Sequence, residues 1–251
     1  MSRPVPHLPV SRLLLWRHGR TEWNAAGRFQ GQLDPPLDEE GCRQAACAAR
    51  HLADGGQLPE GTVVVSSDLV RASETAAALT GRLGVPLRLD PRLRETGLGS
   101  WEGLTREEVA ERHPEQYADW LAGRPVRGRG DENPAEVPRR ALAALLDLPT
   151  APLAVVVTHG GTSARLMEEL LGLGPEHRRV LGPLANCAWS ELAVQRDRWR
   201  LIRHNSAAPT VAAGARAVGT VGAPGAGASP EEGAATAVVD GAPVQDADAV
   251  A

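Results

Sequence analysis

The sequence predicts an α/β protein, a three-layer sandwich in which a mostly parallel central sheet has helices on both faces and a small insertion over the prospective site. Short apolar runs alternate with longer amphipathic stretches, and the connections between them are short. This alternation is typical of strand–helix–strand units, whose crossovers place helices against both faces of a parallel sheet. With 251 residues, 42% of them hydrophobic, the chain is long enough to bury a substantial core.

Apolar runs predict the strands. The first run is rich in leucine, and two later runs are rich in valine, a residue that favours strands. The predicted strands cover residues 12–16, 62–67, 86–90 and 153–159. Two further runs, "CAWSELAVQ" and "RWRLIRH", predict a late hairpin that turns around Arg196–Asp197.

Amphipathic stretches between these runs predict the helices. Apolar residues in one stretch recur every three or four positions, as the buried face of a helix requires; they are Leu69, Ala72, Ala76, Leu79 and Leu83. The predicted helices are Glu39–Asp54, Leu69–Leu83, Thr105–Leu121, Ala135–Leu148 and Thr162–Leu171.

The composition divides the chain into three parts. Residues 1–11 are expected to be an N-terminal extension, and residues 12–205 contain all the predicted strands and helices. Residues 206–251 consist mostly of Ala, Gly, Pro and Val and lack Leu, Ile and aromatic side chains. Such a segment buries too little apolar surface to offset its ordering entropy, so we expect a disordered tail.

The charge distribution gives no support to two classes of partner, so no nucleic acid and no membrane are expected. The formal net charge is -4, and in residues 206–251 Arg216 stands alone against five acidic residues, so residues 1–205 are balanced. A balanced domain gives no reason to expect binding to nucleic acid or to a membrane surface.

The cysteines and the N-terminus predict a cytoplasmic protein. Cys42, Cys47 and Cys187 are odd in number and have no zinc-ligand spacing, which favours a reducing compartment. The opening residues "MSRPVPHLPVSR" lack the apolar core of a signal peptide, and no apolar run is long enough to cross a bilayer.

Chemically reactive side chains follow four of the predicted strands. Arg17 and His18 end the first, Arg71 begins the helix after the second, Glu95 follows the third and His159 the fourth. In open α/β sheets the ligand crevice lies at the carboxyl ends of the strands, so these residues should converge. Each alone has an ordinary structural explanation, but together they offer the arginines, imidazoles and helix N-termini that bind phosphate. A single acid among them suggests proton transfer to a leaving group.

The motifs around these residues resemble a known family. "RHGRTEWN", "RFQGQLDPPLDEEG", "SSDLVRASETA", "RLRETGLGSWEGLT" and "VVTHGG" are together similar to the histidine phosphatase, or phosphoglycerate mutase-like, superfamily from about Leu13 to Asn205. The resemblance implies that His18 is a nucleophile that becomes phosphohistidine. It also implies that Glu95 is the proton donor to the leaving alcohol and that the phosphoryl oxygens are held by Arg17, Arg71 and His159.

Further positions take a binding role from the same resemblance. It implies that Asn24, Gln30 and Gly31 line the phosphate and substrate pocket, while Gly160 lets the backbone approach the phosphate closely. No metal and no cofactor are implied, because arginines and His159 can neutralise the phosphoryl group alone.

The predicted partner is a small phosphorylated metabolite. "RLRETGLGSWEGLT", "ANCAWSEL" and "RWRL" are most similar to glucosyl-3-phosphoglycerate phosphatases and related broad-specificity phosphatases, so a sugar or glycerate phosphate is the expected substrate. The sequence leaves open whether the protein forms a homodimer.

Other functions compete with hydrolysis. A mutase would return the phosphoryl group to a second hydroxyl, but mutases of this family carry an "ERHYG"-like run where this chain has "RETGLGSWEG". A metal enzyme could be built from His18, His159 and Glu95, although the neighbouring arginines would repel a cation. A silent phospho-ligand-binding module would usually have lost the histidine or the acid.

The sequence also departs from the family pattern. Arg20 stands where relatives commonly carry Glu or Gln, and we expect it to point to solvent rather than add charge at the pocket mouth. Residues 128–137 stand where relatives often read "GGES"; Glu132 matches the Glu, but Asp131 and Asn133 do not match its neighbours. For the aromatic residues Trp101, Tyr117 and Trp120 nearby, a core role is favoured over stacking on a substrate.

Overall fold

The computed structural model describes residues 6–174, 177 and 180–209. Within these residues the strands are β1 (Arg12–Arg17), β2 (Val63–Ser66), β3 (Leu87–Leu89), β4 (Ala154–Thr158), β5 (Trp189–Gln195) and β6 (Arg198–Ser206). They form one sheet in the order β3-β2-β4-β1-β5-β6. The first four are mutually parallel, while β5 and β6 form the antiparallel hairpin predicted from the sequence.

Strand β1 lies inside the sheet, between β4 and β5. Leu13 is opposite Ala154 on one side and Leu192 on the other. Because β1, β2 and β4 are parallel, their carboxyl ends meet at the same edge of the sheet, where a ligand crevice is expected. The predicted fold class, a mostly parallel sheet in an α/β protein, is confirmed.

Helices cover both faces of the sheet. In the described part of the chain they are α1 (Glu22–Ala25), α2 (Glu39–Asp54), α3 (Val70–Leu83), α4 (Arg106–Arg112), α5 (Pro114–Leu121), α6 (Glu136–Leu146) and α7 (Gly160–Leu171). Leu14 and Trp16 of β1 pack with α2 and α3 in one core cluster. Leu13 and Leu15 point the other way and pack with α6 and α7. The alternation of side chains along a strand therefore explains why this uninterrupted apolar run serves two cores.

The predicted helix Thr105–Leu121 is wrong in one respect, because it breaks at His113. Pro114 begins α5, and a proline inside a continuous helix would lack its N–H and clash with the preceding turn. The residue before a proline is also disfavoured in the helical conformation, and His113 adopts φ -136° and ψ 55°.

The segment containing α4 and α5 has its own small aromatic core. The Phe29 ring centroid lies 5.1 Å from that of Trp101, and the Trp101 centroid lies 6.2 Å from that of Trp120. Tyr117 stacks on Trp120. The favoured core role of the aromatic residues is therefore correct, and their cluster fixes this segment to the turn that carries Phe29.

The ends of the described region pack more closely than the sequence predicts. Ser206 belongs to β6, so the ordered domain passes the predicted boundary at residue 205, and Ala208 packs against the core. At the other end Val10 is buried. The rest of the predicted tail, residues 210–251, lies outside the described residues, as do residues 1–5.

Two further sequence features can be compared with the structure. Cys42, Cys47 and Cys187 are free thiols. No helix in the described part of the chain combines the length and apolar character that a bilayer span requires.

Candidate active site

The structure brings the five predicted catalytic residues to the carboxyl edge of the sheet. Arg17 ends β1 and is followed by His18, while His159 follows β4. Arg71 lies in the first turn of α3, directly after β2. All of these side chains and that of Glu95 are at most 2% exposed, and the rings of His18 and His159 lie 5.2 Å apart. Burying this many ionisable groups together is costly unless a ligand or mutual bonding compensates.

His18 is oriented by its own backbone. Its Nδ1 lies 2.7 Å from the carbonyl oxygen of Gly19, which can only accept a hydrogen bond. Nδ1 therefore carries the proton in the neutral ring, and Nε2 holds the lone pair. Burial lowers the pKa of His18 well below its usual value, and the charges of Arg71 and Arg17 lower it further. The ring is thus kept neutral, as a nucleophile must be.

The turn after His18 is fixed to two neighbouring elements. The Gly19 amide donates to Oγ1 of Thr75 in α3 at 3.0 Å. A Cβ on Gly19 would lie 2.6 Å from the carbonyl oxygen of Gly41, so the turn touches the start of α2 where only glycine fits. Behind the turn, the carbonyl oxygen of His18 accepts hydrogen bonds from the Cys187 amide and from the Asn186 side chain.

Backbone carbonyl groups orient the two buried arginines. Nη1 of Arg17 donates to the carbonyl oxygen of Leu184 at 2.7 Å. Arg71 donates from Nη1 to Leu33 at 2.7 Å and from Nη2 to Gly31 at 2.8 Å. A carbonyl group fixes a guanidinium without cancelling its charge. Nη1 of Arg71 also lies 3.9 Å from Oδ1 of Asp34, a long ion pair to a half-exposed carboxylate.

The two ring nitrogens of His159 are buried without a hydrogen-bond partner in the described part of the chain. His159 is the N-cap residue of α7. Burial lowers the pKa of His159 well below its usual value, with Arg71 and His18 adding to the effect. Buried polar atoms in native proteins are almost always satisfied, so these nitrogens indicate a ligand position.

The carboxylate of Glu95 lies on the N-terminus of α7. Oε1 accepts hydrogen bonds from the amides of Thr96 at 2.8 Å and Thr162 at 2.9 Å, and Oε2 accepts one from the Gly161 amide at 2.9 Å. The Thr162 hydroxyl lies 3.1 Å from Oε1. The exposed amides and the dipole of a helix N-terminus attract a carboxylate, which fixes the acid beside His159.

The predicted substrate-binding residues lie around this site but are themselves bonded to the protein. Gln30 is fully buried, and its Oε1 accepts a hydrogen bond from Thr21. Asn24 uses its Oδ1 for the Thr21 amide, in a capping box at the start of α1, and for Asn186. Gly31 supplies the carbonyl oxygen that holds Arg71, at a φ of 53°. Direct contact of these residues with a substrate stays a prediction.

Gly160, the fourth predicted binding residue, lies at the N-terminus of α7. It is the first residue of α7, directly after His159, and it is buried. A backbone amide in this position points out of the helix N-terminus, in keeping with the predicted approach to a phosphate.

Two sequence departures find an explanation. Arg20 does not simply point to solvent, since its Nε lies 2.7 Å from Oδ2 of Asp38, the N-cap residue of α2. Its charge is therefore compensated by this carboxylate, although 41% of the Arg20 side chain is exposed. Asp131 pairs with Arg129, whose Nε lies 2.8 Å from Oδ2, and Oδ1 of Asn133 accepts a hydrogen bond from the Ala135 amide at 3.0 Å. The matching Glu132 pairs with Arg140, with Nε 2.6 Å from Oε1.

Sequence reasoning missed several residues that support the site. They are Gln32, Thr162, Arg140 and Asn186, of which the first donates to the carbonyl oxygen of Glu95 at 3.2 Å. Thr162 could have been found, because it continues "VVTHGG". Arg140 carries no local signal, because its partner is distant in the sequence, whereas Asn186 lies in the quoted motif "ANCAWSEL", which does not reveal its contact with His18.

Comparison with known proteins decides the family. The model of the histidine phosphatase superfamily (branch 1) matches residues 13–207. The chain belongs to this superfamily. The resemblance predicted from the motifs is thus confirmed, and so is the prediction of an enzyme of the phosphatase type.

Proteins similar to this member of the histidine phosphatase superfamily include some named as phosphatases and some named as mutases. A glucosyl-3-phosphoglycerate phosphatase of Mycolicibacterium vanbaalenii is 41% identical over 194 residues, which cover 73% of this chain and 84% of that protein. A probable phosphoglycerate mutase of Yersinia pestis is 38% identical over 196 residues, covering 75% and 87%. Among solved structures, a mycobacterial glucosyl-3-phosphoglycerate phosphatase complexed with VO3 has a TM-score of 0.70 and 38% identity, covering 78% of this chain and 100% of that one.

Proposed function

We propose that the protein is a metal-independent phosphomonoester hydrolase that works through a phosphohistidine at His18. The observation that carries the proposal is the state of His18, a buried neutral ring whose Nδ1 is bonded to Gly19 and whose Nε2 is the basic nitrogen. A neutral imidazole held in this way can attack phosphorus without first losing a proton. Arg17 and Arg71 are buried beside the ring, and their positive charges attract a phosphate and repel a metal cation.

Phosphoryl transfer requires that the charge on the non-bridging oxygens be neutralised. Arg17 and Arg71 are fully buried and their guanidinium groups are bonded to carbonyl oxygens, so they are preorganised for this purpose. His159 supplies ring nitrogens without a protein partner in the described region. Preorganised groups need no rearrangement when the transition state forms, which is why they lower the barrier.

Glu95 is the proton donor in this mechanism. His18 Nε2 forms the bond to phosphorus, the bond from phosphorus to the alcohol oxygen breaks, and that oxygen takes a proton from Glu95. Oε1 accepts two amide hydrogen bonds and Oε2 one, so Oε2 is the better placed oxygen to carry the proton. In the second step a water oxygen bonds to phosphorus, the bond to His18 breaks, and Glu95 takes the proton from the water.

The substrate that we propose is glucosyl-3-phosphoglycerate or a related sugar or glycerate phosphate in the cytoplasm. The names of the mycobacterial relatives support this choice. An acid bonded to the helix N-terminus is useful chiefly for alkyl phosphates, because their alkoxides leave slowly without a proton. A second candidate is phosphoryl transfer to another hydroxyl, which the name of the Yersinia relative favours.

The experiment is a comparison of wild-type protein with His18→Asn on a panel of phosphorylated metabolites, with and without EDTA. We expect wild-type protein to release inorganic phosphate in EDTA and to form an acid-labile phosphoenzyme, and the variant to do neither. Isomerised phosphate ester in place of free phosphate would identify a mutase. Activity that disappears in EDTA and returns with magnesium would contradict the proposal.

A further inference from the structure

The backbone of Glu95 is held by a side chain far away in the sequence. We propose that Arg140, fixed by Glu132, is a positioning residue that sets how well Glu95 delivers its proton to a poor leaving group. The inference rests on the proposed role of Glu95 as proton donor and extends that role to a pair of residues with no part in binding the phosphate.

Arg140 lies in α6, and its guanidinium donates hydrogen bonds to one short stretch of backbone. Nη1 donates to the carbonyl oxygens of Arg92 at 2.7 Å and Arg94 at 2.6 Å, and Nη2 donates to that of Glu95 at 3.0 Å. Three carbonyl groups around one planar cation define the path of the chain into Glu95. A side chain without this fork cannot make the same set of contacts.

Glu132 completes the arrangement from the other direction. Its Oε1 lies 2.6 Å from Nε of Arg140 and its Oε2 2.8 Å from Nη2, a bidentate pair. Its amide donates to the carbonyl oxygen of Gly97 at 3.1 Å, and the Gly97 amide donates back to Oε2 at 3.3 Å. The pair therefore fixes the backbone on both sides of Glu95.

Both ends of the Glu95 residue are thereby constrained. The main chain is held by Arg140, while the carboxylate is held by the amides of α7 at Gly161 and Thr162. Loss of either set of contacts leaves only the main chain or only the carboxylate of Glu95 fixed, so the position of its proton relative to the leaving oxygen becomes variable. A displacement of about 1 Å in a catalytic group can lower a rate roughly 10²-fold.

The neighbouring residue in α6 offers a matched control. Arg139 is 70% exposed at its side chain and pairs with Glu136 in the same helix. Arg140 is 18% exposed at its side chain. Lysine keeps the positive charge at either position but cannot form the fork. The charge of Arg140 also lowers the pKa of His159, so a variant that keeps the charge separates positioning from electrostatics.

The test compares Arg140→Lys, Arg139→Lys and Glu95→Gln, together with the double variant of Arg140 and Glu95, on p-nitrophenyl phosphate and glycerol 2-phosphate. The quantity measured is kcat/KM, because it reports the steps up to release of the alcohol and not the later hydrolysis of the phosphoenzyme. We expect Arg140→Lys to lose about 10- to 100-fold on the alkyl ester, with little change on the aryl ester, whose leaving group needs no proton. Arg139→Lys should match wild-type protein on both.

The double variant decides whether Arg140 acts through Glu95. Once Glu95→Gln has removed the acid, Arg140→Lys should add little further loss on the alkyl ester. Equal losses on both esters in Arg140→Lys, or a full additional loss in the Glu95→Gln background, would overturn the inference while leaving the proposed function intact. Equal losses already in Glu95→Gln would overturn the proton-donor role and this inference with it. If Arg140→Lys does not fold, Glu132→Gln applies the same test, since it keeps the shape of the pair and removes its charge.

Discussion

Replacing Gly161 with alanine should displace the catalytic acid without weakening the fold. A Cβ at this position would lie 2.9 Å from Oε1 of Glu95 and 3.3 Å from Oγ1 of Thr96. Ordinary van der Waals contact needs a further shift of about 0.5 Å, and the end of the Glu95 side chain is the part best able to move. The shift also disturbs the hydrogen bonds from the α7 amides to the Glu95 carboxylate. We therefore expect a loss of about 10- to 100-fold in kcat/KM on an alkyl phosphate and a smaller loss on an aryl phosphate.

Stability should change little, which separates this effect from unfolding. Gly161 lies in the first turn of a helix, where alanine is favoured over glycine by up to about 1 kcal/mol, and this gain offsets the cost of moving the buried Glu95 carboxylate from its amide partners. Gly81→Ala in α3 is the matched control, because a Cβ there would meet nothing within 4 Å. Urea unfolding and steady-state kinetics on both variants provide the comparison. Wild-type kcat/KM on the alkyl ester in Gly161→Ala would refute the reasoning that this contact positions Glu95.

Three other outcomes are expected, two at the same site and one at the end of the sequence. His18→Ala should abolish the acid-labile phosphoenzyme, whereas Glu95→Gln should still form it from p-nitrophenyl phosphate. Trapping of the phosphoenzyme after rapid mixing distinguishes the two variants. A phosphoenzyme trapped from His18→Ala would move the nucleophile to His159. Because burial lowers the pKa of His18 and His159 below 6.5, the unfolded chain binds more protons than the folded one as the pH falls through 6.5. The free energy of unfolding should therefore decrease below that pH, by up to about 1.4 kcal/mol per pH unit for each ring; urea titrations at pH 7 and 5 measure it, and a flat profile would contradict the lowered values. Removal of residues 210–251 should leave the melting temperature unchanged, because their composition offers little to pack; a clear fall in Tm would show that they dock.

The sequence predicts the sheet edge better than it predicts the support behind it. Arg17, His18 and His159 follow apolar runs so directly that the position of each is set by the strand before it. Glu95 is placed less directly, since β3 spans only Leu87–Leu89 and a short 3₁₀ turn at Pro91–Leu93 lies between the strand and the acid. Its place after the third predicted strand predicts that it converges with the others, and the resemblance to the family implies its role.

Long-range contacts account for what could not be predicted. Arg140 reaches Glu95 across 45 positions, and Asn186 reaches His18 across 168. Neither contact can be derived from the local sequence, although Asn186 stands in the motif "ANCAWSEL", because hydrogen bonds of this kind depend on how separate elements pack. The break at His113, in contrast, was readable, since Pro114 carries a local backbone constraint.

The place of β1 in the sheet also determines when the protein can become active during its synthesis. Strand β1, which ends in Arg17, is made before the other described strands, yet both of its neighbours, β4 and β5, come from the last part of the described chain. The hydrogen bond from Trp16 to Cys187 joins residues 171 positions apart. At typical elongation rates of about 5–20 residues per second, roughly 10–30 s pass between the synthesis of β1 and that of β5. During this interval the apolar strand β1 lacks a neighbour on at least one side. We therefore expect the nascent chain to depend on chaperones during that interval, and its nucleophile to be assembled only when translation of the domain is nearly complete.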